Sequence, residues 1–227
     1  LLIGRSGALD AKGRVDLAAH FVNVFMLDRE GNRIDRRNAQ DIFVPLYNHQ
    51  IPPGAGQTVH YGLQLPPELD ATVVIEVKLQ YRKFDQTYLD IVARRSKPGD
   101  KPLPGVTPGS AYRNELPITT LASDRVTFPV SGRAAQVDIP EISIPARERW
   151  NDYGIGLLLK GKAELRQAAG AFAEVEKLGR YDGPLNLARV LYREGRLDEA
   201  GAAVHRAAQA TSPPAPAWTL AWVSGLI

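Results

Sequence analysis

Apolar and polar residues alternate strictly from Val73 to Arg82: Val73, Ile75, Val77, Leu79 and Tyr81 share one face, and Glu76, Lys78, Gln80 and Arg82 share the other. That period of two predicts a strand with one face in a core and one in solvent. Gln57 to Leu65 repeats the pattern with Val59, Tyr61, Leu63 and Leu65 inward, behind a turn-forming Ile51-Pro52-Pro53-Gly54-Ala55-Gly56. His20 to Leu27 is apolar on both faces and is followed by the turn residues Asp28-Arg29-Glu30-Gly31-Asn32. Arg125 to Val130 and Ala135 to Ile139 read as further strands, and the proline-rich stretch at 97–117 as a long surface loop. Short strands separated by turns predict an antiparallel β-sandwich over residues 1–147, with no sustained helical period before about Ile139.

After Pro145 the period becomes helical and remains so. A shift of 32 residues superposes Gly156, Leu159, Leu165, Ala168, Phe172 and Val175 on Ala188, Leu191, Leu197, Ala200, Val204 and Ala207. The small residues and the tight turn at Gly195 match a tetratricopeptide helix pair. The expected fold is therefore two domains, a β-sandwich followed by an α-helical tetratricopeptide (TPR) array. The repeats fall at 148–180 and 181–214, with a truncated third from 215. Arrays of this kind bind partners in the groove of their first helices. By the alignment that groove carries Tyr153, Leu157 and Lys160, then Leu185, Arg189, Tyr192 and Arg193. Tyrosines and guanidiniums suit an acidic or extended peptide. The same residues could equally serve as inter-repeat contacts and solvated charges.

Composition narrows the chemistry. The chain has 227 residues, 28 Lys+Arg against 25 Asp+Glu, a net charge of +3 and no cysteine. Disulfides, thiolate metal clusters, a cysteine nucleophile and thioether-linked haem are excluded within these residues. The basic pairs Arg36-Arg37 and Arg94-Arg95 are isolated, so no nucleic-acid face is built. Leu1-Leu2-Ile3 is too short for a signal peptide or a membrane span, and the chain reads as a piece of a longer protein. Gly154-Ile155-Gly156 lacks the third glycine of a dinucleotide loop, and Asp28 to Asp35 places its glycine wrongly for calcium. No GxSxG motif or paired carboxylates support hydrolysis, and no catalytic constellation is expected. Of the four histidines, His60 and His205 read as surface residues and His20 as a core residue. His49 sits in a proline-braced loop able to present it rigidly.

Several strings carry a resemblance as a set: Gly13-Arg14-Val15-Asp16 with Ala19-His20-Phe21, Asn32-Arg33-Ile34-Asp35-Arg36-Arg37-Asn38, Asn48 to Ala55, Leu79 to Phe84, and Arg149-Trp150-Asn151-Asp152-Tyr153-Gly154-Ile155-Gly156. Together they resemble the C-terminal, haem-free region of bacterial multihaem c-type cytochromes that carry TPR repeats. The missing CxxCH motif is the chief departure. The resemblance implies periplasmic electron transfer, with haem c attached upstream of this chain and a redox partner protein. It also makes His20 and His49 the candidate distal haem ligands. Without it, the alternative is a structural protein–protein interaction module with no redox role.

Overall fold

The computed structural model describes residues 2–34, 38–69, 72–95, 116–132 and 142–227. The loop residues 97–115, the predicted strand Ala135–Ile139 and the pair Arg36-Arg37 lie outside them. Two compact units divide the chain, Leu1–Asn48 with Tyr61–Pro140, and His49–His60 with Glu141–Ile227. The second unit thus combines the helical half with a twelve-residue segment taken from within the first.

In the first unit, β1 (Val24–Leu27) pairs antiparallel with β2 (Val44–Asn48), and β3 (Thr72–Tyr81) pairs antiparallel with β4 (Thr119–Pro129). Each sheet has two strands. One helix, α1 (Gln86–Arg95), follows β3. Arg82 fastens the base of the β3–β4 ribbon, donating from Nη1 to the Gly13 carbonyl at 2.6 Å and from Nε to the Leu116 carbonyl at 3.4 Å. Arg14 reaches Asp90 of α1 at 3.2 Å, and Asp90 also accepts from the buried Gln86 amide at 2.6 Å.

The expected sandwich followed by a tetratricopeptide array is not what the structure shows. In its place, the described residues form a mixed architecture of two separate two-stranded sheets and six α-helices. Alternation correctly marks β3 as a strand, yet its supposed core face is open: Ile75 is 43% exposed, Val77 60% and Tyr81 53%. A period of two reports the pleat of one strand and not whether a second sheet lies over it. Gln57 to Leu65 forms no strand, and α1 stands where no helix was expected. Among the described residues, Leu89 of α1 supplies the first unit's buried hydrophobic side chain.

The second unit holds α2 (Ala146–Lys160), α3 (Leu165–Lys177), α4 (Asp182–Arg193), α5 (Leu197–Ala208) and α6 (Ala217–Ser224). Consecutive helices joined by short turns pack side by side. The two hairpins are not equivalent, however. Residues α2 to α3 turn through Gly161 and a short 3-10 segment, Lys162–Glu164. Residues α4 to α5 turn at Gly195 (φ 77°), where the Arg196 N–H donates to the Leu191 carbonyl at 2.9 Å and the Gly195 N–H to that of Tyr192 at 3.0 Å.

The core of this unit has two parts. Leu157, Leu158, Leu165, Ala168, Phe172 and Val190 form one, and Leu185, Ala188, Leu191, Ala200, Ala203, Val204, Ala207 and Val223 form the other. Leu187 packs against both. Phe172 is fully buried because Gly154 leaves space for its ring; a Cβ at Gly154 would lie 2.6 Å from Phe172 Cε1. Gly183 is similarly pressed against the Glu176 backbone, so α4 enters directly over the end of α3. A surface ion pair, Arg206 Nε to Glu176 Oε1 at 2.7 Å, joins α5 to α3. Such exposed pairs contribute at most about 1 kcal/mol, so apolar burial dominates here.

These contrasts predict opposite mutational costs in the two units. Phe172→Ala should lower the stability of the helical unit by about 3–5 kcal/mol in urea unfolding. Ile75→Asp, on an open ribbon face, should cost about 1 kcal/mol or less. A loss at Ile75 as large as that at Phe172 would contradict the exposed ribbon.

Candidate functional site

The chemistry in the helical unit gathers where α4 passes α2. Helical spacing places Asn186, Arg189 and Arg193 on one side of α4, each three or four residues from the next. Arg189 Nη1 donates to Asn186 Oδ1 at 3.0 Å, and the Asn186 amide donates in turn to Asn151 Oδ1 of α2, also at 3.0 Å. Arg193 Nη1 donates to the Leu158 carbonyl at 2.7 Å. Leu158 lies in the last turn of α2, whose carbonyls have no partner within the helix, so the guanidinium caps it from the neighbouring helix.

The electrostatics of this cluster are one-sided. Burial, and then the adjacent Arg193 charge, pull the Arg189 guanidinium below its usual range. Among the described residues neither arginine forms a salt bridge, while Arg180, Arg196 and Arg206 each hold a carboxylate. A basic group with a depressed pKa is one whose charge the fold disfavours. At every pH below that pKa the Arg189 charge therefore costs stability. Its remaining N–H groups can be satisfied by an anion brought from outside, in the forked geometry that a carboxylate matches.

The residues expected to line the groove separate into three groups. Arg189 and Arg193 are brought together as described. Tyr192, 39% exposed, lies three residues from Arg189 on the same helix. Leu157 is fully buried and Leu185 nearly so; both belong to the core and offer no binding surface. The 32-residue superposition places them by sequence offset, whereas burial follows the different lengths and connections of the two hairpins. Tyr153 turns towards α3, its hydroxyl 3.3 Å from Gln167 Oε1, and Lys160 is exposed at the end of α2. Asn151 and Asn186 were not singled out in the sequence. An asparagine on each of two facing helices carries no signal until the helices are paired.

The two candidate haem ligands fall in different units. His20, half-buried in the first, donates its backbone N–H to the Tyr61 hydroxyl at 3.1 Å. His49 is half-buried in the segment that belongs to the helical unit. Both have further partners of their own. Among the described residues no group of three or more His, Asp or Glu side chains is gathered to hold a metal ion. Nor is any helix there long and apolar enough to cross a membrane.

Substitution should distinguish the two arginines by stability alone. Arg193→Met leaves the Leu158 carbonyl without its donor and should cost about 1–2 kcal/mol. Arg189→Met removes a partly buried, unpaired charge and should leave stability unchanged or raise it by up to about 1 kcal/mol. Urea unfolding of both variants checks the difference; equal losses would mean that Arg189 is structural.

Comparison with known proteins adds no family to this geometry: no family model matches the sequence, and the searches of curated proteins and of solved structures return no match.

Proposed function

We propose that the helical unit is a docking module for an acidic segment of a partner protein, held at Arg189 and Arg193. The observation that supports this is the pair of guanidiniums on one side of α4 that, among the described residues, have no carboxylate partner. Each arginine is already held by one hydrogen bond, Arg189 through the Asn186–Asn151 relay and Arg193 at the α2 terminus, so little side-chain freedom is lost on binding. Tyr192 supplies an aromatic surface beside them, suited to the carbon skeleton of a Glu or Asp residue. The reading is one of protein binding rather than catalysis. The electron-transfer role and periplasmic setting implied by the cytochrome resemblance fit within it as a further proposal, the acidic segment then belonging to a redox partner.

A fluorescent decapeptide of alternating Glu and Ala, with a Lys–Ala counterpart as control, tests this by anisotropy. The acidic peptide should bind saturably and the basic one should not. Raising ionic strength from about 0.05 to about 0.5 M should weaken the binding. Arg189→Met should weaken it about tenfold or more, the loss of one charged hydrogen-bonding partner. Equal binding of both peptides, or no effect of Arg189→Met, would overturn the assignment.

A further inference from the structure

The two arginines of α4 differ from a diffuse basic patch in having a fixed spacing. Arg189 and Arg193 lie four residues apart, so they leave the helix on nearly the same side, separated by about 6 Å along its axis. The pair is bounded at both ends. Towards the C-terminus the next basic residue on that stripe, Arg196, is already neutralised by Glu199 at 2.6 Å and Glu194 at 3.0 Å. Towards the N-terminus stands the uncharged Asn186, committed to Asn151 and Arg189. Two cationic places are therefore offered, and a third acid in line past Arg193 would meet the carboxylates of Glu194 and Glu199.

The hydrogen bonds that hold the guanidiniums draw both into the seam between α4 and α2. Arg193 is drawn there by the Leu158 carbonyl of α2, and half-buried Arg189 by Asn186, whose amide is tied to Asn151 of α2. An extended chain needs only about 5 Å beside its neighbour and can follow such a seam. A helix, about 10–12 Å across, would rest first on exposed Tyr192 and hold its carboxylates farther off. In an extended chain alternate side chains return to the same face every 6.6 Å or so, about the spacing of the two arginines. Adjacent acids would present one carboxylate and turn the other away. Acids three apart would also face opposite ways, at about 10 Å.

We propose that the arginine pair reads two acidic residues separated by one residue of any kind, in an extended segment of a partner protein. One carboxylate sits on each guanidinium, in the forked geometry that arginine favours, and the middle side chain faces solvent. This inference rests on the docking reading above and adds to it the spacing and conformation of the partner segment.

Four end-blocked nonapeptides of one composition, two Glu and seven Ala, test the spacing, with the two Glu adjacent, alternate, three apart or four apart. Their charge is the same, and alanine permits either an extended or a helical backbone. In fluorescence anisotropy with the full chain, the alternate peptide should bind about fivefold or more tighter than each of the others. Arg189→Met leaves a single guanidinium, so it should erase the preference and bring all four peptides within about twofold of one another. Arg193→Gln should do the same, and the two variants serve as alternatives should one lose its far-UV helical signal. Tightest binding at the four-apart spacing, equal affinities for all four, or a preference that survives removal of one arginine would overturn the motif while leaving an acidic docking site standing. If none of the four binds, and the longer Glu–Ala peptide fails as well, the docking reading falls and the motif with it.

Discussion

The close approach of backbone to backbone and of ring to backbone at glycine is what the helical unit depends on. Phe172 is the largest fully buried side chain, and it fits because Gly154 has no Cβ to meet it. Gly183 lets α4 begin against Glu176, which sets where Arg189 and Arg193 emerge relative to α2. Gly156 admits the backbone of Gln57 and Thr58 against the same helix. All three of these glycines lie within helices, where propensity alone argues against them. Packing, at several kcal/mol for the Phe172 ring, outweighs that preference.

The arginine site is a consequence of this packing rather than an addition to it. Because α2 and α4 lie side by side, the unsatisfied end of α2 faces α4 and recruits Arg193. Arg189, one turn earlier, is left with one asparagine and a like charge as neighbour. A fold optimised only for stability would place a carboxylate or an apolar residue there. The same unit does so elsewhere: Arg196 holds Glu194 and Glu199, and Arg206 holds Glu176. The contrast within one small unit is the physical basis for reading Arg189 as a binding residue.

The β3–β4 ribbon follows a different logic. Its register runs from Thr72 opposite Pro129 to Tyr81 opposite Thr119 with one irregularity at Leu79/Gln80, and its pairing satisfies the backbone groups between the strands. Its side chains are largely open on both faces. A two-stranded ribbon is marginal by itself in water, and Arg82 contributes to its anchoring through the Gly13 and Leu116 carbonyls rather than through a hydrophobic layer.

Local periodicity by itself determined that β3 is a strand, that the chain turns helical after Pro145, that Gly195 breaks a helix pair, and that no thiol chemistry is present. Each follows from contacts within a few residues or from composition. It also placed Arg189 and Arg193 on a shared helix face, since spacing on one helix is a local property. Tertiary structure alone decided that the alternating face of β3 is open, that Leu157 and Leu185 are core, that Asn151 meets Asn186, and that residues 49–60 join the helical unit. These depend on which distant surfaces meet. A period of two or 3.6 names the face a residue occupies, but only the folded chain supplies what lies against it.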